Sequence, residues 1–409
     1  MVNVMKKFEE YKEEIYSCSR CGLCQGICPL YKTTGLETVV SRGQFSLLNG
    51  ILNGDMTFNK KVYKNLDMCL HCDACKSYCP SDIDAEKIIT SAKIECYKYA
   101  PLSKKFKLFL LNSNIFLKTA GRCVDIFRFL GLHNLLSVFH FGSVVKRFLE
   151  ENVRYRKLKP ARQLGLKVFY FPGCVNTYFN KSILNSMRML AEKNGFELVI
   201  PDGLHCCSVA HLSAGDFETF YRNAVLNLDM IPDDVDYVVF DCASCHKAFE
   251  LYDDILNSKK TKNLKDKLIH LNNFIEKQDI YIPERVKFEK IVCEHIPCHL
   301  KDKESIWKAV KKMAFIDNFQ KDETNQCCGA AGLFCFEHGK ISREISKSKS
   351  SKLEEKADVI LTSCSSCTMG ILQGLSENGK HIKIYNPVEL LAEQYIEEEN
   401  LSKQCHTES

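Results

Sequence analysis

The spacing of apolar and polar positions changes character near residue 167. Before it, apolar residues recur at helical intervals. SRGQFSLLNGILNG (41–54) presents one apolar face, with Gly50 and Gly54 as the expected stops. IDAEKIITSAKIECY (83–97) predicts another helix, capped by Asp82 or Asp84. From Lys167 onward, short apolar runs alternate with helical stretches. KVFYF, FELVI and VDYVVFD predict strands, with a helix through 181–194. The order then recurs: KIVCEHI, helices near 303–313 and through 338–355, ADVILTS and HIKIYNP. This alternation predicts parallel sheets. The expected fold class is therefore α+β and multidomain: a mainly helical N-terminal part, a helical linker, then two tandem α/β units.

Composition adds compartment and charge. A chain of 409 residues has room for two or three cores. Its start, MVNVMKKFEEYKEEIYS, lacks both the apolar stretch of a secretory signal and a twin-arginine pair, which points to the cytoplasm. Thiols stay reduced there, so clustered cysteines read as metal ligands rather than disulfides. The net charge of +5 is too mild to argue for nucleic acid, and none is expected as a partner. The charge is uneven, however. Residues 98–167 hold 15 Lys or Arg against Asp125, Glu150 and Glu151, a local excess of +12 that leaves −7 for the remainder. The same stretch is rich in Phe and Leu. Its longest run without a charged residue, Phe129 to Val145, is shorter than the roughly 20 residues of a membrane span. Two readings stay open: helices packed between domains with a wet basic face, or a basic amphipathic surface that meets anionic lipid or a membrane partner.

The cysteines carry the chemistry. Cys18, Cys21, Cys24 and Cys28 precede Pro29, and Cys69, Cys72, Cys75 and Cys79 precede Pro80. Both runs read C-x2-C-x2-C-x3-C-P, the pattern that holds [4Fe–4S] cubanes in two-cluster ferredoxins. The fourth cysteine of such a run ligates the other cluster. The expected sets are Cys18, Cys21, Cys24 and Cys79 for one cluster, and Cys69, Cys72, Cys75 and Cys28 for the second. Zinc sites pair C-x2-C units and do not use triplets with a Cys-Pro. Forty residues separate Cys28 from Cys69, too long for a compact β-type ferredoxin, so a helical domain is expected.

A second constellation repeats. Cys174, Cys206, Cys207, Cys242 and Cys245 correspond to Cys298, Cys327, Cys328, Cys364 and Cys367, at offsets of 124, 121 and 122 residues. Each cysteine lies at or just beyond a predicted strand end, where ligands bind in open parallel sheets. Five sulfurs are expected to converge on one pole of each unit, one more than a cubane takes. The copies differ in one place: Cys327-Cys328 is followed by Gly329, but Cys206-Cys207 by Ser208. Glycine there allows positive φ or close approach to a bound group, so the first site's geometry is in question. His205, His246 and His299 flank these cysteines; each is either a hydrogen-bond donor to sulfur or a polar group at the site mouth. Cys96 and Cys123 are expected to be buried ordinary thiols, and Cys293 and Cys335 to lie in the core or near the second set. The tail, EEENLSKQCHTES, reads as a solvated helix end with a frayed terminus.

Two cubane motifs followed by two such pentads resemble the iron–sulfur subunits of glycolate oxidase, with their cysteine-rich "CCG" domains. Subunits of anaerobic glycerol-3-phosphate dehydrogenase, lactate oxidation and heterodisulfide reductase share the plan. The resemblance implies four segments: a two-cluster helical domain (1–100), a basic amphipathic helical segment (101–166), and CCG domains at 167–285 and 286–409. It also implies an electron-transfer subunit of a flavin-dependent 2-hydroxy-acid dehydrogenase, passing electrons from a partner's FAD to a quinone or other carrier. No G-x-G-x-x-G opens a helix after a strand, consistent with a flavin on a partner chain. By resemblance to heterodisulfide reductases, each pentad holds a noncubane [4Fe–4S] cluster, and the alternative function is reduction or formation of a disulfide. The alternatives for the pentads are a simpler metal site, or reduced thiols in a structural or docking domain.

Overall fold

The computed structural model describes residues 6–130, 153–283, 290–300, 308, 319–322, 324 and 326–407. The predicted helix near 303–313 and most of the uncharged run Phe129–Val145 lie outside these residues.

The N-terminal part is helical, and its two cysteine loops are wound alike. Arg20 and Gly22 in the first loop, and His71 and Asp73 in the second, take left-handed φ between 50° and 83°. Successive reversals of this kind turn backbone N–H groups towards a common centre. Asp84, not Asp82, caps the helix Ala85–Cys96, its carboxylate accepting from the Lys87 N–H at 3.1 Å. The helix Ser41–Leu52 runs straight through Gly50 and stops at Asn53 and Gly54. The Gly50 carbonyl is used instead to accept the Asp55 N–H at 2.9 Å, which closes the helix end. The basic segment is helical over Leu102–Asn112 and Asn114–Phe129. Residues 153–166, expected to be helical, are not. Val153 and Leu158 are spent as anchors in the core behind the first sheet, with the Val153 N–H donating to Ser182 Oγ at 2.8 Å. Cys96 is buried as expected, but Cys123 is exposed because it lies on the outward face of its helix.

The strands are β1 (Lys167–Phe171), β2 (Glu197–Val199), β3 (Tyr237–Phe240), β4 (Leu268–His270), β5 (Val292–His295), β6 (Phe319–Lys321), β7 (Val359–Thr362) and β8 (Lys383–Tyr385). They form two four-stranded sheets of identical order, β2-β1-β3-β4 and β6-β5-β7-β8, with every pairing parallel. Periodicity missed β4 and β6, each three residues long with a charged residue at one end, Lys267 before β4 and Asp322 after β6. The central strands are buried on both faces; β1 and β3 read as unbroken apolar runs, whereas β5 carries buried Glu294 and His295. Along β1, Phe169 and Phe171 enter the core that holds the cysteines, while Val168 and Tyr170 enter the opposite one. Both cores continue through both repeats, so the two units form one body.

The helical domain is pinned onto that body by specific contacts. The Tyr63 hydroxyl donates to the Ala214 carbonyl at 2.9 Å. At Gly215 an added Cβ would lie 2.5 Å from the Lys93 carbonyl oxygen, so only glycine permits this approach. Asp67 is buried and ion-paired to Lys93 and Lys104, with His338 of the second repeat 3.6 Å away.

Candidate metal centre

Each cysteine loop folds around its own pocket. One pocket is lined by Cys18, Cys21, Cys24 and Cys79, and also by Cys75. The next is lined by Cys28, Cys69, Cys72 and Cys75. The Cys-Pro cysteines thus reach across, each joining the other run's triplet. Pro29 opens the helix Pro29–Thr34 directly after Cys28, which is that helix's N-cap. Cys21 is exposed and its thiol lowered, mainly by the Leu23 N–H. Burial pushes the Cys69 and Cys75 thiols up to about 12 and about 11, and the His71 N–H donates to the Cys69 sulfur at 3.4 Å.

The ten cysteines of the repeats do not form two separate poles. The carboxyl ends of the two sheets face one another, and all ten line a single cavity of 430 Å³. Corresponding residues meet across it. Cys242 and Cys364 have their sulfurs 3.8 Å apart, and the Ala243 N–H donates to the Ser363 carbonyl at 2.9 Å. Other sulfur pairs are Cys174–Cys206 at 4.0 Å and Cys328–Cys367 at 3.4 Å. These are non-bonded spacings, far from the roughly 2.05 Å of a disulfide. Cys206, Cys328 and Cys364 are held below the ordinary thiol range by S–H donation, first from Cys174, Cys327 and Cys242 respectively; Cys328 falls to about 5. Crowded, buried sulfurs with few other polar partners make a soft anionic donor set of the kind that binds iron or zinc. The residues therefore fit a thiolate-held metal centre.

Serine replaces glycine in the first repeat without changing the turn. Ser208 takes φ 61° and Gly329 φ 82°. Each donates its N–H, at 3.4 Å, to the sulfur two residues back, Cys206 or Cys327. The strain of a left-handed serine is offset by Asn223, whose amide donates to Ser208 Oγ at 2.7 Å. Gly173 is more constrained. Its φ is 69°, and a Cβ there would sit 2.9 Å from the Cys245 sulfur. Gly173→Ala should destabilise the protein by about 1–3 kcal/mol and displace Cys245. Thermal unfolding and iron content of the anaerobic variant check this; unchanged values for both would refute it.

The flanking histidines divide. His205 donates its backbone N–H to Asn227 Oδ1 (2.9 Å), and His246 packs edge-on against Phe240; neither side chain lines the cavity. His299 does. Its Nε2 is 3.3 Å from the His71 carbonyl, which only accepts, so that nitrogen carries the proton and Nδ1 accepts from Ser244 at 3.2 Å. Ser244 in turn lies 3.5 Å from the Cys364 sulfur. Sequence reading missed Ser244, His71 and His295. Ser244 stands inside C-A-S-C and His71 inside C-L-H-C, so proximity in sequence was the available signal. Cys293 is in the core and Cys335 is half-buried, its thiol raised to about 12 by burial and then by Cys328.

The second cubane loop adjoins this cavity. Burial raises the Cys72 thiol, and after burial the largest causes are Cys327 and Cys298. His71 lines both the second loop's pocket and the shared cavity.

Residues 14–83 match the family model of the 4Fe-4S dicluster domain, and residues 168–250 and 292–371 that of the cysteine-rich domain, CCG. The fold and cysteine sets thus define a 4Fe-4S dicluster domain joined to a tandem pair of CCG domains. The chain is 23% identical to the probable glycolate oxidase iron-sulfur subunit of Bacillus subtilis strain 168, over 94% of this chain and 95% of that protein. It is 22% identical to the glycolate oxidase iron-sulfur subunit of Escherichia coli K12, over 86% of this chain and 88% of that one. It is 21% identical to one subunit of the dihydromethanophenazine:CoB–CoM heterodisulfide reductase of Methanosarcina acetivorans, over 93% and 94% respectively. In domain content and order the chain is of the type these iron–sulfur subunits represent.

Proposed function

We propose that this chain is the electron-transfer subunit of an oxidoreductase complex, a flavin-dependent dehydrogenase of 2-hydroxy acids such as glycolate or lactate. The partner chain carries FAD, and a quinone or another carrier takes the electrons. The observation that carries the reading is contiguity. Exposed Cys21 belongs to the first pocket, Cys75 lines both cubane pockets, His71 lines both the second pocket and the shared cavity, and Cys72 lies within electrostatic reach of Cys298 and Cys327. Four-sulfur and five-sulfur donor sets therefore follow one another from surface to interior. When bound, thiolate-held [4Fe–4S] clusters accept and release single electrons. The chain's own residues exclude water and place N–H donors on sulfur at Cys69, Cys206 and Cys327. Cys18, Cys21, Cys24 and Cys79 form the first ligand set; Cys28, Cys69, Cys72 and Cys75 form the second. The pentads hold further iron. In this reading the segments act as 1–100 relay, 101–166 surface, 167–285 and 286–409 paired CCG domains.

Anaerobic co-purification from native cells tests the reading. A flavoprotein partner with 2-hydroxy-acid activity, and about twelve to sixteen iron atoms per chain, are the expected results. About eight atoms would leave the pentads without iron. A partner set with no flavoprotein would sink the dehydrogenase assignment.

The shared cavity favours one second reading, heterodisulfide-type chemistry. Ten sulfurs around 430 Å³ exceed what a relay needs. Reduction of a disulfide by the isolated reconstituted chain, dependent on Cys327, would establish it in place of a pure relay.

Among the described residues no helix is long and apolar enough to cross a membrane. The helices Leu102–Asn112 and Asn114–Phe129 nevertheless leave Leu102, Phe109 and Ile115 67–83% exposed, beside exposed Lys118 and Arg122. This composition suits peripheral contact with an anionic lipid surface at the inner face of the membrane. The protein should sediment with anionic vesicles at low salt and be released as salt rises; no sedimentation at low salt would exclude the lipid contact.

A further inference from the structure

His295 ends β5 and is 1% exposed. One of its ring nitrogens and the sulfurs of Cys328 and Cys367 lie within 4.8 Å of one another. Its Nδ1 is 3.2 Å from the Asp322 carboxylate, which also pairs with buried Lys349 and accepts from Thr324 Oγ1 at 2.6 Å. A carboxylate so paired can only accept, so Nδ1 carries the imidazole proton. Nε2 keeps its lone pair, is buried, and has no hydrogen-bond partner among the described residues. A buried nitrogen lone pair next to two soft sulfurs is an unmet acceptor, and a metal ion is the partner that satisfies both donor types. A carboxylate holding the far nitrogen is the usual way a protein orients a ligating histidine.

The first repeat has no histidine at the matching strand end, and its own buried His211, whose Nε2 meets the Leu108 carbonyl at 3.1 Å, forms no such cluster with two sulfurs among the described residues. At the offset of 124 that relates Cys174 to Cys298, the counterpart of His295 is Phe171, the last residue of β1. Phe171 packs against Phe240 and Phe249, with centroids 5.9 and 4.8 Å away. The first repeat offers five sulfurs, the second five sulfurs and one nitrogen.

We propose that His295 Nε2 is a metal ligand of the second repeat, and that Asp322, backed by Lys349, is its positioning residue. The proposal rests on the reading that the second pentad holds iron. A neutral nitrogen donor raises the potential of an iron–sulfur site relative to thiolate alone, as in Rieske centres. The two repeats are then unequal: the second is the easier to reduce, and electrons entering the cavity settle there.

Hyperfine spectroscopy of the full-length, anaerobically purified and dithionite-reduced protein, labelled with 15N-histidine, tests this. The expected result is a histidine-nitrogen coupling in the wild-type protein that is lost in His295→Phe, the first repeat's own residue. In Asp322→Asn the coupled signal should persist with its midpoint potential shifted upward, because the imidazole loses an anionic partner. Iron well above eight atoms per chain with no histidine coupling in the wild-type protein would overturn the ligand assignment alone. Iron near eight would overturn both it and the reading beneath it. A coupling that survives His295→Phe would also overturn it. The wild-type measurement decides even if a variant fails to fold.

Discussion

Cys79→Ser should lower the anaerobic iron content by about four atoms per chain and remove the signal of the first cluster, not the second. The expectation runs against the linear sequence, in which Cys79 closes the run Cys69, Cys72 and Cys75. In space it joins Cys18, Cys21 and Cys24. Cys28→Ser should have the mirror effect, emptying the set of Cys69, Cys72 and Cys75. Each loss should also lower the melting temperature of the helical domain, because a site assembled only in the folded chain contributes its binding free energy to folding. The two variants are distinguished by the spectrum that remains, since Cys72 neighbours Cys298 and Cys327 whereas Cys21 faces solvent. If Cys79→Ser spared the first cluster's signal and removed the second's, the crossed ligand sets would be wrong.

Asp67→Asn should destabilise the protein by about 3–5 kcal/mol, the usual cost of removing one partner from a buried ion cluster. The Lys93 and Lys104 side chains are only 2% and 5% exposed, and both would be left as buried ammonium groups without their counter-charge. Asp67 joins the helical domain, the helix Leu102–Asn112 and, through His338, the second repeat, so its loss should loosen the seating of the cluster loops on the CCG pair. Burial opposes its ionisation, but the Lys93 charge, the nearby His338 ring and Lys104 outweigh it, and the carboxyl lies well below its usual range. A depressed folded value means that this stabilisation is complete at neutral pH. It is lost as pH falls from the unfolded carboxyl value, about 3.9, towards the folded one. Urea unfolding at pH 7 and pH 3 measures both effects. A variant within about 1 kcal/mol of wild type at pH 7 would show that Asp67 has no such role.

Legibility followed the range of the interaction. The strands β1, β3, β5 and β7 are doubly buried; apolar runs announced β1, β3 and β7, and the apolar start of β5 announced it despite Glu294 and His295. The strands β4 and β6 are three residues each and carry no period. Residues 153–166 belong to a basic, apolar-rich stretch that read as helix, yet they form none, and Val153 and Leu158 are drawn into the core instead. Cys123 read as a buried thiol because cysteine usually is one; the orientation of its helix exposes it.

The sequence by itself determined the donor inventory: two triplet loops with Cys-Pro, two pentads at matching offsets, and the strand–helix alternation that puts the pentads at strand ends. These are local, because metal loops and strand ends are specified by spacings of a few residues. Only the tertiary structure decided that the two pentads face one cavity, with Cys242 against Cys364 across the repeat boundary. It alone placed Cys72 beside them and turned His295, rather than the histidines next to the cysteines, towards the sulfurs of Cys328 and Cys367. The packing of two sheets end to end depends on cores shared between repeats, and no window of sequence contains both sides of such a contact.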